Sequence, residues 1–142
     1  MMVKINLIAV GRIKDPSLVG LISEFQKRIK PLSAPAVTEI KDEGLSKEAE
    51  KLAKYLGQDT YVLDEAGKML SSAEFAEFLK NRDRPITFII GGPEGIDGYI
   101  KKQSHLISLS KMTFTHEMAR LFLVEQIYRA CMINSGRGYY HK

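Results

Sequence analysis

The chain has a single cysteine, Cys131, so no disulfide can form within it and no cysteine-rich metal site can be built. Its histidines, His105, His116 and His141, are scattered and lack metal-ligand spacing, so no metal is expected. The apolar run at residues 5–10 is interrupted by Asn6 and is too short for a signal-peptide core or a membrane span. A cytoplasmic address and no membrane contact are expected by default. Several motifs are missing as well. No G-x-G-x-x-G opens a helix, and there is neither a G-x-x-x-x-G-K-[ST] loop nor a G-x-S-x-G elbow. Hydride transfer, phosphoryl transfer, serine hydrolysis and zinc chemistry all lose ground.

What is present is enough for one core. A chain of 142 residues, 44% hydrophobic and 27% charged, matches one domain spanning residues 1–142. Lys and Arg number 21 against 17 Asp and Glu, a net charge of +4. Such a mild basic excess is compatible with a polyanionic partner. From Lys111 onward the five basic residues Lys111, Arg120, Arg129, Arg137 and Lys142 face only two acidic ones, Glu117 and Glu125. If the chain touches nucleic acid, that end is expected to do it.

Strand and helix signals alternate. A strand at residues 3–10 ends at Gly11. Pro16 opens a helix whose Leu18, Leu21, Ile22, Phe25 and Ile29 recur at helical spacing up to Pro31. A weaker strand at 36–41 and a charged helix at 45–56 closed by Gly57 repeat the unit. A third strand at 60–63 stops in an acidic, glycine-bearing tip at 64–68, and Ser71 with Glu74 has capping-box spacing for a third helix. The β-branched run at 86–90 ends in Gly91-Gly92-Pro93-Glu94-Gly95, either a binding loop or a tight connection. A short helix near 99–103 and a strand near 106–109 follow. The alternation predicts an α/β fold with a parallel sheet and helices on both faces, and ligands in such folds bind at the carboxyl ends of strands. The last helix, about 116–134, is apolar nearly all round: Met118, Leu121, Phe122, Tyr128 and Met132 on one side, Leu123, Ile127 and Ala130 on the other. It needs cover on both sides, from its own sheet and from either more of the chain or a second subunit; with only 142 residues to supply it, a homodimer with this helix at or near the interface is favoured.

Two groups of side chains could carry chemistry. His116 and Arg120 are four apart, so both point to one side near the start of the last helix. His116 can equally be a helix-start residue bonded to local backbone. For Arg120 the alternatives are a specific anion or a structural pairing with Glu117. Glu125 and Arg129 have the spacing of an ordinary helical salt bridge. The tail at 135–142 combines glycines with Arg137, Tyr139, Tyr140, His141 and Lys142, suited either to stacking on an RNA loop or to simple fraying.

Taken together, Val10-Gly11, Leu63-Asp64 with Gly67-Lys68, Ile90-Gly91-Gly92-Pro93-Glu94-Gly95, Leu109-Ser110 with Thr113, then His116, Arg120, the 125–130 run E-Q-I-Y-R-A and the closing Tyr140-His141 resemble the ribosomal RNA large subunit methyltransferase H family. The resemblance spans essentially the whole chain in order. It implies a SPOUT fold with a trefoil knot in the carboxyl-terminal third, a homodimer, and transfer of a methyl group from S-adenosylmethionine to N3 of a pseudouridine in large-subunit (23S-type) ribosomal RNA. It assigns cofactor contacts to Leu63, Gly91, Leu109, Ser110, Lys111, Met112, Thr113 and Phe114. Gly91 is expected to give the adenosine room. Loss of the N3 proton could be assisted by Arg120, His116 or His141, with Tyr140 and His141 arriving from the other subunit. Two departures stand out: the loop at 41–44 is short and net acidic where some members carry a basic insertion, and Thr115 and Glu117 flank His116 where prolines are common. A nucleotide-binding α/β module without catalysis and a ribosome-assembly factor are the rival readings.

Overall fold

The computed structural model describes residues 3–33, 35–80 and 82–137. In chain order it contains β1 (Ile5–Val10), α1 (Pro16–Ile29), β2 (Ala36–Ile40), α2 (Leu45–Leu52) continued by a 3-10 turn (Ala53–Tyr55), β3 (Thr60–Met69), α3 (Ser72–Leu79), β4 (Ile86–Ile90), α4 (Gly98–Lys102), β5 (His105–Ser108) and α5 (His116–Asn134). The strands pair in the order β2-β1-β4-β3-β5. Every pairing is parallel.

Local chemistry sets the helix starts. Asp15 caps α1 by accepting the Ser17 N–H at 2.8 Å, and Pro16 sits in the first turn, where its missing N–H costs nothing. Ser71 and Glu74 form the expected capping box, each side chain accepting the other's backbone N–H, at 3.0 and 2.8 Å.

Alternation along the strands divides the core in two. Ile5, Leu7 and Ala9 of β1 with Ile86, Phe88 and Ile90 of β4 meet buried side chains of α1, α3 and α5 on one face. Ile8, Val10 and Ile89 meet Leu52 of α2 and Ile100 of α4 on the other. Helices therefore cover both faces. Phe88 is wholly buried at the centre, and truncating such a ring to alanine costs about 3 kcal/mol.

Two elements differ from the sequence reading. β3 does not stop at Leu63. Tyr61, Val62 and Leu63 pair with His105, Leu106 and Ile107; after an excursion at 64–67 the chain returns, so that Lys68 pairs again with Ile107 and Met69 with Ser108. Gly67 permits the return, because a Cβ there would lie 2.6 Å from the Ile107 nitrogen and 2.6 Å from the Leu106 carbonyl carbon. The second difference concerns α5. It lies between α1 and α3, with Leu123, Val124, Ile127, Ala130 and Cys131 buried. Phe25 of α1 packs on Tyr128 with ring centroids 5.8 Å apart, and Asn134 Nδ2 donates to the Ala76 carbonyl of α3 at 2.9 Å. Much of the two-sided cover thus comes from the chain itself, while Met118, Phe122 and Met132 stay only half-buried.

Candidate active site

The mid-strand excursion of β3, the carboxyl ends of β4 and β5 and the first turn of α5 border a cleft of about 680 Å³. That is the size of small-molecule sites in general. Of the residues expected at a cofactor, Leu63, Gly91, Leu109, Ser110, Met112, Thr113 and Phe114 line it, and so does His116. Lys111 is exposed and is not part of the lining.

The loop after β4 is a closed turn. The Gly95 N–H donates to the Gly92 carbonyl at 3.0 Å, and Gly95 itself has φ +81°. A Cβ on Gly91 would lie 2.7 Å from the Gly95 carbonyl oxygen. The absence of a side chain at 91 is therefore demanded by the loop's own backbone, whatever room it also leaves in the cleft.

Two serines shape the loop after β5. Ser108 Oγ donates to the Ser110 carbonyl at 2.7 Å and accepts the Ser110 N–H at 3.1 Å, while Ser110 Oγ accepts the Met112 N–H at 3.0 Å. Thr113 then donates its hydroxyl to the Glu65 carboxylate, tying this loop to the excursion of β3. Met112 is 74% exposed, and Phe114 packs edge-on against Phe122 of α5 at 5.0 Å.

Asp64, Glu65 and Lys101, all of them lining the cleft, were missed from the sequence. Lys101 Nζ of α4 lies 2.7 Å from Asp64 Oδ2, and the Ala66 N–H donates to Asp64 Oδ1 at 2.8 Å. Burial pushes the Asp64 carboxyl up, but the Lys101 hydrogen bond, the Ala66 N–H and the Lys101 charge outweigh it, and the net displacement is downward. Only the acidic, glycine-bearing tip hinted at them in the sequence; Lys101 is 37 positions from Asp64, too far for any local pattern.

His116 and Arg120 part company. Thr115 caps α5 by accepting the Met118 N–H at 3.3 Å, which sets His116 at the cleft with Glu117 Oε2 3.9 Å from its Nε2. Arg120 is not in the lining. Its side chain is 5% exposed, donates to Gly11 O at 2.8 Å and pairs with the Glu39 carboxylate of β2, leaving its Nε unpartnered. The expected partner, Glu117, instead accepts the backbone N–H groups of Lys14 and Asp15, both at 3.2 Å. Glu125 and Arg129 do form their helical pair, at 3.2 Å. Tyr140 and His141 lie outside the described residues. Among the described residues no three His, Cys, Asp or Glu side chains gather as a metal site.

A family model described as "Predicted SPOUT methyltransferase" matches residues 3–141. The chain belongs to the SPOUT methyltransferase family. Within that family, this SPOUT methyltransferase is 42% identical to the ribosomal RNA large subunit methyltransferase H of Acholeplasma laidlawii, over 96% of this chain and 99% of the relative. The protein of the same name from Trichlorobacter lovleyi is 39% identical, over 97% and 99%. Among solved structures, a "probable methylase family protein" from Haemophilus influenzae superposes with a TM-score of 0.57 at 14% identity, covering 99% of this chain and 70% of that one. That likeness bears on the fold alone.

Proposed function

We propose that this SPOUT methyltransferase transfers the methyl group of S-adenosylmethionine to N3 of a pseudouridine in large-subunit ribosomal RNA. The observation that carries the reading is the cleft of about 680 Å³ with His116 at its edge, lined by seven residues that the family resemblance assigns to the cofactor. These residues fit a nucleoside joined to an amino acid. Leu63, Ile90, Ile96 and Leu109 offer apolar surface, the 91–95 and 109–113 loops offer backbone groups, and the Asp64–Lys101 pair fixes the wall between them. When bound, S-adenosylmethionine supplies a methyl group on a positively charged sulfur.

The chain's part is to position the acceptor and remove its proton. Because Arg120 is committed to Glu39 and Gly11, His116 is the better proton acceptor among the described residues, and Arg120 acts by positioning. His141 stays a rival for the same role from outside the described residues. The reading includes a homodimer, supported by the half-buried Met118, Phe122 and Met132 beside the exposed Phe114, with the partner's tail closing the site. It also includes a knotted carboxyl-terminal third, which rests on the family resemblance. A ribosomal substrate implies a cytoplasmic protein; among the described residues no helix is long and apolar enough to cross a membrane.

The test is incubation with radiolabelled S-adenosylmethionine and ribosomes from a strain lacking the gene. Label in large-subunit RNA, mapped to N3 of one pseudouridine, is expected. An enzyme that binds the cofactor yet labels no RNA overturns the reading.

A further inference from the structure

The loop between β1 and α1 does not line the cleft but lies next to its lining, and three contacts fix it there. Gly11 O accepts from Arg120 of α5 at 2.8 Å. The Lys14 and Asp15 N–H groups hold Glu117, in the same helical turn as His116. At the loop's start, Val10 abuts Gly92, where an added Cβ would come within 3.0 Å of Val10 Cγ1. The loop carries two exposed cations, Arg12 and Lys14.

Among the described residues neither has an acidic partner. Arg28, Arg82, Arg84, Arg120 and Arg129 each pair with a carboxylate within 4 Å, whereas Arg12 and Arg137 do not, among the described residues. Of the nearby acids, Asp15 caps α1 and Glu117 accepts two backbone N–H groups. Asp42, beside Gly11 in space, follows Lys41 in sequence. A backbone clamped at three points thus presents two free cations beside the opening through which a base would reach His116. The opposite rim carries Asp64 and Glu65, already held by Lys101 and Thr113.

We infer that Arg12 and Lys14 form a phosphate-binding rim, contacting the RNA backbone on one side of the target nucleotide and orienting its entry from the β1 side. The inference rests on the proposed RNA substrate. It departs from the charge distribution along the sequence, which pointed to the carboxyl end: there Arg120 is buried and Arg129 is paired with Glu125. Two such contacts contribute sequence-independent, salt-sensitive affinity.

The experiment compares wild type, the double variant Arg12→Ala/Lys14→Ala, and a control of equal charge change, Lys27→Ala/Lys30→Ala, at the far end of α1. Methyl incorporation is measured against ribosome concentration at several salt concentrations, and S-adenosylhomocysteine binding by calorimetry. The rim variant is expected to raise KM for ribosomes about tenfold and to lower the salt slope by about 1.5, with kcat and S-adenosylhomocysteine affinity unchanged and the control like wild type. Unchanged KM and salt slope in the rim variant, or an equal shift in the control, overturns the inference while leaving the proposed reaction intact. A wild type that binds S-adenosylhomocysteine but labels no RNA removes the proposed reaction and this inference with it.

Discussion

Along the β3 rim of the cleft the acidic groups are held, Asp64 by Lys101 and the Ala66 N–H and Glu65 by Thr113. Along the β1 rim the exposed Arg12 and Lys14 have no acidic partner among the described residues, and the firmly held charge is the buried Arg120. Held charges fix the shape of a wall, since a paired ion loses its freedom to serve a ligand; free ones on a fixed backbone are suited to a partner from outside. The first rim accordingly reads as scaffold for a small molecule and the second as the approach for a polymer. His116 sits at the edge they share.

The comparison can be broken most directly at that edge. His116→Ala is expected to lower kcat about a thousandfold with S-adenosylhomocysteine affinity within about twofold of wild type; single-turnover methylation and calorimetry together check this, and an unchanged kcat would pass the proton-accepting role to another group. Arg120→Ala comes next. It strands the Gly11 carbonyl, breaks the pair with the half-exposed Glu39 and is expected to cost about 2.5 kcal/mol of stability, read from urea denaturation, with Arg120→Lys recovering only part because one ammonium cannot reproduce the guanidinium fork. Gly91→Ala forces a methyl against the Gly95 carbonyl and should weaken S-adenosylhomocysteine binding by about 2 kcal/mol, roughly thirtyfold, while leaving the β1 rim and its salt dependence untouched.

The smallest effect concerns pH. The Asp64 carboxyl is depressed below its ordinary 3.8, so its contribution is complete above that value and is lost as pH falls through the lower folded one. Asp64→Asn is expected to be less stable than wild type by about 1 kcal/mol at pH 7. That gap should close in thermal melts as the pH is taken from about 4 toward 2; a gap that persisted at low pH would mean that Asp64 acts by packing rather than by charge.

The sheet, its helices and most of the cleft were legible because they depend on local patterns: β-branched runs, capping spacing, and glycines where strands end. The fate of Arg120 was not. Helical spacing correctly set it four residues after His116, but its partners Glu39 and Gly11 are 81 and 109 positions away, and only tertiary structure brings them together. The continuation of β3 was hidden for a similar reason. Asp64, Glu65, Ala66 and Gly67 have the composition of a turn, and residues 68–69 become strand only because β5, far along the chain, supplies the partner. Cys131 behaved as its apolar surroundings implied, and burial pushes its thiol up to about 11.

The double use of Ile107, paired once with Leu63 and again with Lys68, bears on the order of assembly. β5 can be seated fully only when both ends of the 64–67 excursion are in position, whereas β1, β2 and β4 can zip together without it. Contacts that wait for others to form lengthen the search. In a refolding experiment with pulsed hydrogen exchange, the amides of β5 should therefore gain protection after those of β1 and β4, making the edge that closes the cleft the last part of the sheet to become solid.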